Sequence, residues 1–178
     1  MAQNIEIKAR LTTKQFRELE SRVAAIVDRD CVLHQTDTFF HTTKDRLKLR
    51  EYPDQPAELI AYQRTDQNEP KLSDYIRTPV DQPDSLKLAL MRSLGIRGVI
   101  KKRRDLYLVG QTRVHLDLVD GLGEFVELEV VMRPDQLKDD GLTIVNELME
   151  QLGIEPGCLI SAAYIDLLET EELVDSQT

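Results

Sequence analysis

His115-Leu116-Asp117-Leu118-Val119-Asp120-Gly121-Leu122-Gly123-Glu124-Phe125-Val126-Glu127-Leu128-Glu129 reads as two extended segments and the turn between them. Polar and apolar residues alternate on both sides of the glycines, the period of a strand that buries one face. Asp120-Gly121-Leu122-Gly123 is a short link suited to a hairpin. Gly121 and Gly123 read as turn glycines, because no G-x-x-x-x-G-K-S/T phosphate loop surrounds them. The pattern predicts strands over residues 112–119 and 123–132, with Glu127 and Glu129 on one face.

Working outward, the same period of two recurs. Asn4-Ile5-Glu6-Ile7-Lys8-Ala9-Arg10-Leu11 predicts a strand with Asn4, Glu6, Lys8 and Arg10 on one side. Further strands are expected over 32–42, 45–52, 57–65, 73–79 and 98–109, divided by turns such as Pro53-Asp54-Gln55-Pro56 and Gln67-Asn68-Glu69-Pro70. Thr12 and Gln15 form a capping-box pattern ahead of Phe16, Leu19, Val23 and Ile26 at helical spacing. Asp84 or Ser85 is expected to cap a short helix ending at Gly95, and Pro134 to open a helical stretch interrupted near Gly141 and closed by Gly153. About eight antiparallel strands with two or three helices make an α+β chain, and so many strands in so short a sequence favour a closed barrel. Residues 1–168 are expected to form a single domain and 169–178 a flexible acidic tail.

The 178 residues carry a formal charge of −9. That opposes wrapping a long nucleic acid, whose binding draws on a broad basic surface. Positive charge is nevertheless concentrated around Lys44–Arg50 and Arg97–Arg104, which suits a small polyanion in a pocket. The charged faces Glu6/Lys8/Arg10, Arg46/Lys48/Arg50, Tyr62/Arg64, Lys102/Arg104 and Glu127/Glu129 repeat on strand after strand. In a barrel covered by helices such faces point inward, where charges must be paired or must meet a charged guest. A lumen with both signs suits a triphosphate with its divalent metal: Arg and Lys for the phosphate oxygens, carboxylates for the cation. The amino-terminal stretch lacks the apolar segment of a secretory signal, and no eighteen-residue apolar run occurs, so a cytoplasmic protein that does not enter membranes is expected. Cys31 and Cys158 show no metal-ligand spacing and are expected as buried thiols in a reducing compartment.

Taken together, Asn4-Ile5-Glu6-Ile7-Lys8, Gln35-Thr36-Asp37-Thr38-Phe39-Phe40, Leu47-Lys48-Leu49-Arg50-Glu51, Leu59-Ile60-Ala61-Tyr62-Gln63-Arg64 and the 115–129 hairpin resemble, in order, the strands of the CYTH domains, or triphosphate tunnel metalloenzymes. The resemblance covers residues 4–168. It implies an eight-stranded antiparallel tunnel binding triphosphate with Mg²⁺ or Mn²⁺, in a family that includes class IV adenylate cyclases and thiamine, inorganic and RNA triphosphatases. Carried over by position, it implies Glu6, Glu127 and Glu129 as metal ligands, with Asp117 either a further ligand or the partner of an arginine. Lys8, Lys48, Arg50, Arg64, Lys102 and Arg104 are implied as phosphate ligands, unless a one-residue slip substitutes Lys101 and Arg103. Glu6 and Lys8 are the implied catalytic pair, Glu6 as the base. Asn4 departs from the family's usual glutamate, and Ser161–Leu168 resembles its closing strand with Ala162-Ala163 inserted. His34, His41 and His115 have no nucleophile partner and read as structural or surface residues.

Three functions follow as expectations: a metal-dependent triphosphatase, a class IV-type adenylate cyclase, or a non-catalytic triphosphate or polyphosphate binder that Asn4 keeps open. The expected partner is a small triphosphate, with a homodimer as a candidate assembly.

Overall fold

The computed structural model describes residues 2–64 and 70–175. Its strands are β1 (Ala2–Leu11), β2 (Arg29–Phe40), β3 (Arg46–Glu51), β4 (Ala57–Arg64), β5 (Lys71–Val80), β6 (Ile96–Val109), β7 (Thr112–Val119) and β8 (Gly123–Val131). They close into a barrel in the order β1-β5-β4-β3-β2-β6-β7-β8. Every neighbouring pair is antiparallel. The expected turn at Gln67–Glu69 lies outside the described residues.

Alternation along β1 shows how sequence sets the two faces. Ile5, Ile7 and Ala9 point outward and pack with Val114, Leu116, Val126, Leu128 and Val130 of β7 and β8. Asn4, Glu6 and Lys8 point into the barrel and are also buried. The apolar outer face is covered by α1 (Thr13–Ala24) through Phe16, Leu19 and Val23, and by α3 (Lys138–Leu152) through Val145, Leu148, Met149 and Leu152. Thr12 and Gln15 make both bonds of the expected capping box, which fixes where α1 leaves β1.

Among the described residues four α-helices form where two or three were expected. α2 (Pro83–Leu94) begins ahead of the expected Asp84 or Ser85 cap, since Pro83 is already preset for the first helical position. α3 starts at Lys138, where the Asp140 carboxylate accepts the Leu137 N–H, and it runs through Gly141 without interruption. A Cβ at Gly141 would fall 2.7 Å from Ile5 Cγ1, so this glycine serves the close approach of helix to sheet. Of the segment resembling a closing strand, residues 164–168 instead open helix α4 (Tyr164–Asp175). Residues 169–175 are therefore helical, and Glu169 and Glu171 pair with Arg97 and Arg10. Cys31 is exposed and Cys158 partly so, contrary to the expected burial: Cys31 lies in the exposed first part of β2 and Cys158 in the short turn Pro156–Cys158. No described helix is long and apolar enough to cross a membrane.

Candidate active site

The lumen encloses a cavity of ≈ 190 Å³ to which each of the eight strands contributes polar side chains. Its lining carries seven basic side chains (Lys8, Lys48, Arg50, Arg77, Lys102, Arg104, Arg113) against four carboxylates (Glu6, Asp37, Glu127, Glu129), so a protein that is acidic overall holds a cavity with surplus positive charge.

Register explains the acidic wall. Antiparallel pairing puts Glu6 opposite Glu129 and Lys8 opposite Glu127 across β1 and β8. Across β7 and β8 it puts Arg113 opposite Glu129 and His115 opposite Glu127. Glu127 is held by Arg104 at 2.8 Å and Lys8 at 3.4 Å, and Glu129 by Arg113 at 3.2 Å. Burial opposes ionisation of Glu127, but Lys8, His115 and Arg104 outweigh it and hold the carboxyl well below its usual range. Ligand atoms of His115, Glu127 and Glu129 lie within 4.8 Å of one another. His115 is thus no surface residue: it is buried, and burial together with Arg104 lowers its pKa and keeps the imidazole neutral. His34 and His41 are exposed, as expected.

The basic wall is organised by a residue to which the sequence assigned no role. Asp37 on β2, 1% exposed, receives Arg50 through Nε and Nη2 at 2.6 and 2.7 Å and Lys48 at 2.9 Å, with Lys102 at 3.7 Å. β2 lies between β3 and β6, so one carboxylate can hold cations from both neighbours. Burial and the nearby Arg50 lower the Lys48 pKa to about 8, against the pull of Asp37. Burial and Arg104 also push Lys102 well below its usual range. Lys102 and Arg104 face the cavity while Lys101 and Arg103 are exposed, which fixes the register left open above.

Asp117 does not line the cavity; it is fully buried behind Arg104, which grips both its oxygens at 2.7 and 2.6 Å. Tyr164, the first residue of α4, donates its hydroxyl to the same carboxylate at 2.7 Å. Its ring lies 3.9 Å beneath Lys8 Nζ and packs edge-on against Phe125. Asn4 faces the cavity and accepts from Arg113 at 3.4 Å. Arg64 lies on β4, and its side chain is outside the described residues.

In a ring of eight strands, β8 stands across from β3, and β1 across from β2. The carboxylates of β1 and β8 therefore confront the cations of β3 and the Asp37 cluster across the lumen. The sequence pattern of the CYTH domain matches residues 2–164. The chain belongs to the CYTH domain family. Adenylate cyclase CyaB of Aeromonas hydrophila is 32% identical over 91 residues, half of this chain and 48% of that protein, so the match spans about half the length of this relative. Among solved structures, the PH1012 protein of Pyrococcus horikoshii OT3 superposes with a TM-score of 0.81 at 20% identity, covering 92% of this chain and 98% of the other. HpAC1 of Hippeastrum, which has a dominant triphosphatase activity, gives a TM-score of 0.67 at 13% identity, with 96% of each chain covered. At these identities the structural likenesses establish the CYTH tunnel fold.

Proposed function

We propose that this CYTH protein is a divalent-metal-dependent triphosphatase, and the carrying observation is the confrontation of a carboxylate wall with a basic wall inside one cavity. Two carboxylates and a neutral imidazole form a donor set that fits Mn²⁺ or Mg²⁺. Glu127, Glu129 and His115 would hold the ion, with Glu6 beside them; once bound, it neutralises charge on the phosphate oxygens. Asp117, with both oxygens engaged, positions Arg104 instead.

Lys48, Arg50, Lys102 and Arg104 bind the phosphate chain, and Arg64 joins them by its place in the family pattern. Water attacks the terminal phosphorus as the bridging P–O bond breaks. Glu6 accepts the water proton, and Lys8 stabilises the charge that moves onto the leaving oxygen. Phosphorus NMR of ATP, inorganic triphosphate and thiamine triphosphate incubated separately with the protein and Mn²⁺ tests the reaction. Orthophosphate release is expected; cyclic AMP with pyrophosphate would make the protein a cyclase, like the activity its Aeromonas relative is named for. Binding without any turnover would leave a non-catalytic binder.

Two further outcomes are expected. Because the Lys48 pKa is lowered to about 8, the free protein carries this ammonium only partly charged near that pH. A bound polyanion favours the charged form, so binding should take up protons near pH 8, and affinity should fall as pH rises through 8. Calorimetry in buffers of different ionisation enthalpy measures the uptake; a signal independent of buffer contradicts it. Restoring a carboxylate with Asn4→Glu beside Arg113 should tighten Mn²⁺ binding about tenfold, since affinity follows ligand charge. An unchanged affinity by equilibrium dialysis would show that position 4 has no part in the metal site.

A further inference from the structure

Ten large apolar side chains stand out as exposed among the described residues, and five of them, Leu88, Met91, Leu94, Ile96 and Val99, fall within residues 88–99. Single exposed apolar residues are ordinary; a cluster of this kind marks an interaction surface. α2 turns Leu86 and Leu90 onto Phe40 and Leu49 of the barrel and leaves its other side bare. Ile96 pairs across the sheet with Phe40, so β6 continues the patch beside the helix.

Charge identifies what covers it. Asp84, Leu88 and Arg92 are spaced i, i+4, i+8 and form one ridge along the exposed side of α2. Asp84 and Arg92 stand equally far on either side of Leu88, and among the described residues neither has an ion-pair partner. A two-fold axis through Leu88 makes this ridge complementary to itself: Leu88 packs on its copy, Met91 flanks it, and Asp84 of each chain meets Arg92 of the other. We infer that a second copy of this chain docks on α2, giving an antiparallel α2–α2 homodimer. An interface built on one exposed helix face and the start of β6 is a small one, so the dimer is expected to exchange with monomer at accessible concentrations.

Sedimentation equilibrium of the full chain over a concentration series tests this, with melting curves to show that each variant is folded. The expected wild-type result is a mass rising toward twice the 20.4 kDa chain mass. Asp84→Arg should weaken dimerisation at least about tenfold by setting like charges together, and adding Arg92→Asp should restore it, because the ridge is again self-complementary. A wild-type chain that remains monomeric throughout would overturn the proposal and leave α2 to a different partner. A dimer indifferent to Asp84→Arg, or not recovered by the double exchange, would overturn it equally, because the contact would then lie elsewhere.

Discussion

Changing Asp117 to alanine is expected to destabilise the fold by about 3 kcal/mol, the low end of the cost of breaking a buried pair, because Arg104 loses its bidentate partner but keeps Glu127. Asp117 is fully buried; it is the bidentate partner of Arg104 and the acceptor for Tyr164 at the start of α4. Its removal leaves Arg104, itself only 5% exposed, with Glu127 as its remaining carboxylate partner and leaves the Tyr164 hydroxyl without its acceptor. Burial resists ionisation of Asp117, but Arg104 and Lys102 outweigh it and hold the group well below the usual carboxylate range, so it remains charged throughout the neutral range. Urea unfolding monitored by circular dichroism measures the loss. A change under about 1 kcal/mol would mean that Arg104 relaxes toward the cavity and finds water, and that Asp117 does not anchor it.

The second large effect is on turnover. Glu127→Gln keeps the shape of the side chain but removes the charge that Arg104 and Lys8 hold in place beside Glu129 and His115. Loss of one of so few charged ligands should lower kcat/KM with Mn²⁺ by about 10³-fold, roughly 4 kcal/mol of transition-state stabilisation. Metal-free triphosphate binding should persist or tighten, because the variant gains one net positive charge in a cavity already rich in cations. Steady-state rates together with direct binding separate these effects; unchanged turnover would remove Glu127 from the metal site.

Much of this architecture is legible in the sequence, for a physical reason. Charges at a period of two on β1, β3, β6 and β8 can be buried on one face only if the strands close around them, which makes alternation evidence for a tunnel rather than for a half-exposed sheet. Lys102 and Arg104 could not be separated from Lys101 and Arg103, because four consecutive cations satisfy either register; pairing of β6 with β2 and β7 makes the choice. Asp37 was visible within Gln35–Phe40 but not as a counter-ion, since its partners on β3 and β6 lie 11 to 65 positions away along the chain and meet only through the order of strands in the ring. His115 was missed for a similar reason: its partner Glu127 faces it across the β7–β8 hairpin, and no local motif marks the pair. The resemblance of Ser161–Leu168 to a strand gave way to α4, where Leu167, Leu168 and the glutamates that follow favour a helix and Ala163 and Tyr164 pack into the barrel with Phe125 and Ile100.

The central claim is that one cavity receives metal and triphosphate together, the metal on the β1–β8 wall and the phosphate chain on the cations that run from Arg104 beside that wall to Lys48 and Arg50 across the lumen. Titration of the imido analogue of inorganic triphosphate into the protein, with and without Mn²⁺, tests this most directly. The expected result is that Mn²⁺ tightens binding of the analogue at least about tenfold, and that Glu127→Gln abolishes the gain. Equal affinity with and without Mn²⁺, or a gain that survives Glu127→Gln, would contradict the account.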